Sequence, residues 1–391
     1  MADLATAALI FCALATATHL ITIAFALWRN LKGKKKPKST VRPVSIIRPV
    51  CGIDHFDELT LRSTFELRSQ PYEIIFCAAS ENDPAVPLVR RLIKNYPHIS
   101  AQLLIGDERP TSNPKLNNIV KGWKAARYPW IVLADNNVWM RPNYLDDLFA
   151  GFGENTGLVC SPPIGSKPKG FWAELECAFL NTYQARWQSA ADTIGLGFAQ
   201  GKSMLWRRDL LDEAGGIEAL GGEIAEDAAA TKIVRARGLN VRLVDRPFEQ
   251  PLGPRTLRQV WDRQVRWARL RRATFQLFYV PEVLAGGLFP VLAAFIAAPL
   301  FDIDPLLASV ALALVWYGAE ALLAAAAGWH LSAISPLSWL LRDVLLPGLW
   351  LEGWAGDKFV WRGNDMSVAT SGNAPARVSA RRALAMTSDV N

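Results

Sequence analysis

Two regimes of apolar patterning divide the chain. From Leu4 to Trp28 no residue is formally charged and none is proline. At ~1.5 Å per residue a helix of that length crosses ~30 Å of hydrocarbon. Comparable stretches return late. Val283–Phe301 is uncharged, with Pro290 and Pro299 as expected kinks. Pro305–Gly328 is apolar apart from Glu320, which is expected to pack inward. Pro336–Trp354 carries Arg342, Asp343 and Glu352 and is expected to lie at an interface rather than to span.

Between Thr40 and Tyr279 short apolar runs alternate with helical periodicity. Val44–Pro49, Glu73–Ala78, Ala101–Ile105 and Trp130–Ala134 are predicted strands; His55–Arg68, Ala85–Asn95 and Asn117–Ala126 are predicted helices. Such alternation predicts an α/β domain with a mostly parallel, doubly wound sheet. Ligands bind beyond the carboxyl ends of such strands, where Asp83 and Asp135 fall. The predicted organisation is an anchor over 1–30, a basic linker over 31–43, a catalytic domain over 44–279, a membrane region over 280–361 with two spans and an interfacial helix, and a polar tail over 362–391, disordered from about Ser371.

Charge gives the anchor a direction. The chain has 391 residues, 51% of them hydrophobic, and a net charge of +7, with a basic run from Arg29 to Lys38. A secretory signal would put its basic residues ahead of the apolar core, whereas here Asp3 precedes and the basic run follows. The positive-inside rule then leaves the N-terminus outside and everything after Lys32 in the cytosol. Because the run directly follows an apolar segment, it suits the anionic headgroups of a lipid bilayer, and no nucleic-acid partner is expected. Five cysteines (Cys12, Cys51, Cys77, Cys160, Cys177) without a CxxC pair fit a reduced domain lacking disulfides and structural zinc.

Several polar groups could carry chemistry. Asp135 closes an apolar strand, where a carboxylate can ligate a divalent cation or simply form an Asx turn. Asp83 either borders a ligand or caps the helix after Pro84. Glu226-Asp227 begin a helix among small residues, as a catalytic base with room for substrate or as charges complementing the helix dipole. Arg263, Arg266 and Trp267 suit phosphate binding and stacking, or a basic helix against headgroups. Gly201-Lys202-Ser203 is not a P-loop, since that motif needs glycine where Leu196 stands.

In order, the series Asn82-Asp83-Pro84-Ala85, Asn113-Pro114-Lys115-Leu116-Asn117-Asn118, Asp135, Ala225-Glu226-Asp227 and Arg263-x-x-Arg266-Trp267 resembles the ceramide glucosyltransferase-like family, glycosyltransferase family 21, related to family 2. Gly201-x-Ser203-Met204, Arg208-Asp209, Leu211 and Ala214-Gly215-Gly216 extend it, and the likeness runs from about Val44 to Leu270. The resemblance implies a GT-A (Rossmann-like) catalytic domain on the cytoplasmic face of a membrane, here a bacterial inner membrane. It implies an inverting transfer of a sugar from a UDP-sugar donor to a membrane lipid acceptor.

Carried over, Asp227 would be the general base. Asp83, Lys115, Asp135, Arg266 and Trp267 would bind the nucleotide-sugar, and Asp135 would hold Mg²⁺ or Mn²⁺. Gly201, Ser203, Glu226 and Arg263 would face the acceptor. Asp135-Asn136-Asn137 lacks the second aspartate of a DxD, which leaves a metal fewer carboxylates, and Arg263 stands at the first position of the QxxRW-type motif. Glucose with ceramide is the expected pair. N-acetylglucosamine, galactose or a uronic acid, with a hopanoid or diacylglycerol, remains open, as does a non-catalytic nucleotide-sugar-binding membrane protein. Two or three late spans are few for the channel of a processive polysaccharide synthase.

Overall fold

The structure is a computed structural model that describes residues 2–32, 42–68, 70–361 and 364–369. Most of the basic run and the tail expected to be disordered lie outside the described residues. Nine strands are used below: β1 (Val44–Pro49), β2 (Tyr72–Ala78), β3 (Ser100–Ile105), β4 (Trp130–Ala134), β5 (Thr156–Cys160), β6 (Pro163–Lys169), β7 (Ser203–Arg207), β8 (Asn240–Leu243) and β9 (Phe248–Pro254). The chain clusters into two units.

One unit joins the helix Ala2–Leu31 to Pro163–Leu196 and Gln250–Ala355. Stretches 163–196 and 250–279, expected within the catalytic domain, thus group with the apolar helices. Two helices, Asp3–Leu31 and Pro305–Ala327, are long and apolar enough to cross a membrane, and Gln276–Leu284 with Leu288–Phe301 adds a third if that pair, bent by 50°, is one span.

The bend sits at Gly286-Gly287 rather than at Pro290, which occupies the tolerated first turn of its helix. A Cβ at Gly286 would lie 2.7 Å from Leu346 Cδ1, and the Gly287 amide donates to Asp343 Oδ2 at 2.7 Å. Glu320 does pack inward: it is fully buried and receives Arg342 through both oxygens at 2.8 and 2.9 Å. Arg342 also donates to Asp343 at 2.8 Å. Of the three charges that made Pro336–Trp354 read as interfacial, Glu352 is partly exposed and accepts from Trp261 Nε1 at 2.7 Å. The other two, Arg342 and Asp343, are inside the unit, paired with each other and with Glu320. A buried arginine persists in this way only when its donors are matched.

The other unit is built on a seven-stranded sheet in the order β3-β2-β1-β4-β7-β5-β8. β1, β2, β3 and β4 run parallel, β7 runs against both β4 and β5, and β8 is parallel to β5. The expected α/β architecture is present, with one reversed strand. Ile46, Ile47, Ile74, Ile75, Val132 and Leu133 are all buried, because strands covered on both faces need continuous apolar runs. The helix Pro114–Ala125 lies close on the sheet at Gly122, where a Cβ would meet Ile47 Cγ2 at 2.6 Å. Chain order reverses between β1 and β4, which opens a crevice at their carboxyl ends.

Candidate active site

Arg48 sits near the end of β1, the one charge in a mostly apolar strand, and it is fully buried. Its guanidinium donates to the carbonyls of Asp135, Asn136 and Val138 at 2.7, 2.8 and 3.0 Å and to that of Thr60 at 2.8 Å. A single buried cation thus pins the turn that follows β4 and sets where the Asp135 side chain starts. Asn136 is spent inward, its amide donating to Asp57 at 2.9 Å. The sequence reading missed Arg48; the signal was an arginine in a strand with no polar neighbour on its own face.

Asn113-Pro114-Lys115 works as a helix start. Asn113 accepts the Lys115 and Leu116 amides at 3.0 and 3.1 Å, and proline at the first helical position has no amide to leave unpaired. Asn117 clamps the preceding loop by accepting from the Thr111 amide at 2.9 Å and donating to its carbonyl at 3.0 Å. Lys115 is thereby delivered on a rigid first turn. Its ammonium reaches Asp135 Oδ1 at 2.7 Å, Glu226 Oε1 at 2.6 Å and the Gly201 carbonyl at 2.6 Å. Three partners match the three donors of an ammonium.

Around this lysine the cluster closes. Lys202, which the sequence offered only as part of a failed P-loop, donates to Asp135 Oδ2 at 2.7 Å and to Asn137 Oδ1 at 3.3 Å. The Asp135 amide is itself held by the Lys202 carbonyl at 3.1 Å. Glu226 uses its second oxygen on Asn113 Nδ2 at 2.9 Å. Asp227 follows it at the start of the helix Glu226–Ala236, accepting the Ala228 amide at 2.9 Å and the Gly201 amide at 3.1 Å. Gly201 has no space for a side chain, since a Cβ would lie 2.7 Å from Glu226 Oε1.

The electrostatics separate the carboxylates. Burial pushes the Asp135 carboxyl up, but Lys115 and Lys202 outweigh it and hold it well below the usual range. Burial likewise disfavours the Lys115 charge, and Asp135 with Glu226 reverses that, leaving its pKa raised. Asp227 goes the other way: burial and then the Glu226 charge raise it to about 6, against smaller pulls from Lys115 and the Gly201 and Ala228 amides. A carboxylate near neutral pH beside one that stays ionised is an arrangement suited to acid–base work.

Asp135, Lys115, Gly201, Glu226 and Asp227 therefore meet in one cluster. Asp83 lies in the loop after β2 with its carboxylate receiving the Gly52 amide at 2.9 and 3.1 Å and the Ala85 amide at 2.9 Å, which ties the loops after β1 and β2 together. Ser203 begins β7 with no exposure, and its hydroxyl bonds Tyr144 in the sheet interior, away from the cluster. Arg263, Arg266 and Trp267 lie on the helix Leu257–Thr274 of the other unit. There Arg263 binds Glu176, donates to Gln250 at 3.1 Å and stacks 4.7 Å from the Trp267 ring.

Against known proteins, residues 10–374 match the family model described as glycosyl transferase family 21. The chain is 32% identical to ceramide glucosyltransferase 1 of Caenorhabditis elegans over 283 residues, covering 72% of this chain and 60% of that protein. It is 28% identical to ceramide glucosyltransferase 3 of the same organism over 362 residues, covering 90% of this chain and 78% of that protein. Among solved structures, a mannosyltransferase from Pyrobaculum calidifontis in complex with GDP-Man and Mn²⁺ aligns with a TM-score of 0.49 at 16% identity, over 88% of this chain and 97% of that one. With the family model matching nearly the whole sequence, the chain belongs to glycosyltransferase family 21.

Proposed function

We propose that this glycosyltransferase is membrane-bound and inverting, and moves a sugar, glucose, from a UDP-sugar to the hydroxyl of a lipid such as ceramide to give a β-glycolipid. The family match and the relatives' names support the reaction class, and the long apolar helices support a lipid acceptor. The observation that carries the reading is Asp227, a carboxylate raised to about 6, beside the lysine-held Asp135 at the carboxyl end of parallel strands.

In this mechanism the Asp227 carboxylate takes the proton of the acceptor hydroxyl as that oxygen attacks the anomeric carbon. The bond from that carbon to the diphosphate oxygen breaks, and its electron pair leaves with UDP. Inversion follows from displacement on the face opposite the leaving group. Glu226 is the poorer base because one of its oxygens is ion-paired with the Lys115 ammonium, whereas Asp227 accepts from the neutral Gly201 and Ala228 amides. Lys115 and Lys202 supply positive charge for the diphosphate, and Asp83 borders the nucleotide. Arg266 and Trp267 are assigned to the leaving diphosphate, and Gly201, Glu226 and Arg263 to the acceptor side. Ser203, expected there too, is instead fully buried with its hydroxyl on Tyr144.

The family implies Mg²⁺ or Mn²⁺. Among the described residues no group of three His, Cys, Asp or Glu side chains is placed to hold a metal ion. Asp135 and the Asn137 amide oxygen nevertheless fit a hard cation bound together with the donor, since these two oxygens already share the Lys202 ammonium. When bound, the ion would neutralise charge developing on the diphosphate. The positive-inside pattern around the first helix supports a catalytic unit on the cytoplasmic face of the membrane, and the membrane proposed is a bacterial inner membrane.

Asp227→Asn tests the reading. Transfer should fall by ~10²–10⁴-fold while UDP binding by calorimetry is retained. Substantial transfer by that variant removes Asp227 from the role.

A further inference from the structure

The unit that holds the apolar helices contains a cavity of ≈ 20 Å³ which the donor chemistry leaves unused. A π-helical turn, Phe179–Ala185, forms one wall, and such turns recur at functional sites. The helix Leu257–Thr274 forms another through Gln264, Ala268 and Arg271, whose i, i+4, i+7 spacing puts them on one stripe. The volume admits about one water-sized polar group. A sugar ring or a nucleotide is too large for it.

Two polar atoms in its walls have no hydrogen-bond partner among the described residues, the Tyr183 hydroxyl and the Gln264 amide nitrogen. Both residues are only 3% exposed. Gln264 already accepts from Gln184 at 3.0 Å through its oxygen, so its NH₂ is the unused donor and calls for an acceptor oxygen. Leaving such a group buried and unpaired is unfavourable, so each calls for a partner.

The wall is electrically balanced. Arg271 is bound at 2.8 and 2.5 Å by both oxygens of Glu282, a bidentate pair that balances its charge and competes with a phosphate for its Nε and Nη2 donors. Beside Glu282 in the chain, Leu277, Phe278 and Val280 are 88%, 68% and 48% exposed, a surface suited to acyl chains.

Resting on the reading that the acceptor is a lipid, we propose that this cavity seats a hydroxyl or carbonyl oxygen of a neutral lipid acceptor. Tyr183 and Gln264 bond that oxygen, and the Arg271–Glu282 pair excludes anionic headgroups. Tyr183 and Gln264 are then positioning and specificity residues, distinct from the catalytic cluster.

The test uses the full chain in phosphatidylcholine nanodiscs, with a short-chain ceramide carrying a diazirine as photolabel and as acceptor. Label should map to the cavity walls, and phosphatidic acid should not compete for it. Gln264→Met and Tyr183→Phe should each raise the acceptor KM about tenfold, one lost hydrogen bond. The donor KM and the slow cleavage of donor by water should stay unchanged. Unmoved acceptor KM in both variants overturns the proposal, as does competition by phosphatidic acid. A lowered melting temperature with unaltered acceptor KM also overturns it, since that is the mark of a structural water only. Label mapping elsewhere sinks the cavity even where transfer proceeds. Label in the cavity with no transfer to any lipid supports the cavity and defeats the functional reading instead.

Discussion

Adding one methyl group at Gly201 should disable this protein more than its size suggests. The new Cβ would stand 2.7 Å from Glu226 Oε1, 3.3 Å from Lys115 Nζ and 3.5 Å from Asp227 Oδ2. The first of these is shorter than real Cβ contacts tolerate, so Glu226 must retreat by several tenths of an ångström. It has nowhere easy to go. Its two oxygens are held by Lys115 at 2.6 Å and Asn113 at 2.9 Å, and Lys115 in turn holds Asp135.

Overpacking of this kind costs about 1–3 kcal/mol of fold stability. Displacing a carboxylate, a lysine and the Gly201 amide that orients Asp227 should also cost on the order of 10²-fold in transfer rate. The assay pairs thermal unfolding with the rate of sugar transfer to a short-chain lipid at saturating donor. Gly222→Ala is the control, because a Cβ there meets nothing within 4 Å. A Gly201→Ala protein within twofold of wild type, with an unmoved melting temperature, would refute the packing argument and the cluster's role with it.

The pH profile offers an independent check. A base must be deprotonated, so kcat/KM should hold above Asp227's pKa and fall as pH drops through about 6. Glu226→Gln removes one of the two causes raising that pKa and should move the acid limb downward; a limb that stays in place argues against Asp227 as the titrating group. Lys115→Met should act in the opposite sense, moving the limb above about 6 because Lys115 pulls Asp227 down. It should also cost about 3–5 kcal/mol by stripping Asp135 and Glu226 of their shared buried partner, read as a lowered melting temperature. In the apolar-helix unit, Arg342→Met leaves Glu320 buried without its cation and should lower the unfolding temperature in detergent by a similar energy. Adding Glu320→Gln should recover part of that loss, and an absence of recovery would mean the pair contributes little.

Much of this protein could be read without coordinates, for physical reasons. Strands buried on both faces are built on apolar runs, so Val44–Pro49, in spite of Ser45 and Arg48, and Trp130–Ala134 were found to the residue. Helix boundaries marked by proline and an asparagine cap were nearly as legible, although the helix expected from Asn117 starts at Pro114. A long uncharged stretch can hardly be anything but a membrane-length helix, which located Asp3–Leu31 and Pro305–Ala327.

Tertiary structure decided what spacing along the chain cannot express. Lys115, Asp135, Lys202 and Glu226 are scattered in sequence; the antiparallel pairing of β4 with β7 sets Lys202 beside Asp135, and the helix Pro114–Ala125 delivers Lys115 to both Asp135 and Glu226. The roles of Arg48 and Lys202 escaped the sequence because a charge's role depends on which carbonyls and carboxylates the fold brings to it. The grouping of 163–196 and 250–279 with the apolar helices was hidden for the same reason: their amphipathic faces announce burial but not against what. Local chemistry writes the elements into the sequence, whereas the partners of a buried charge exist only once distant segments have met.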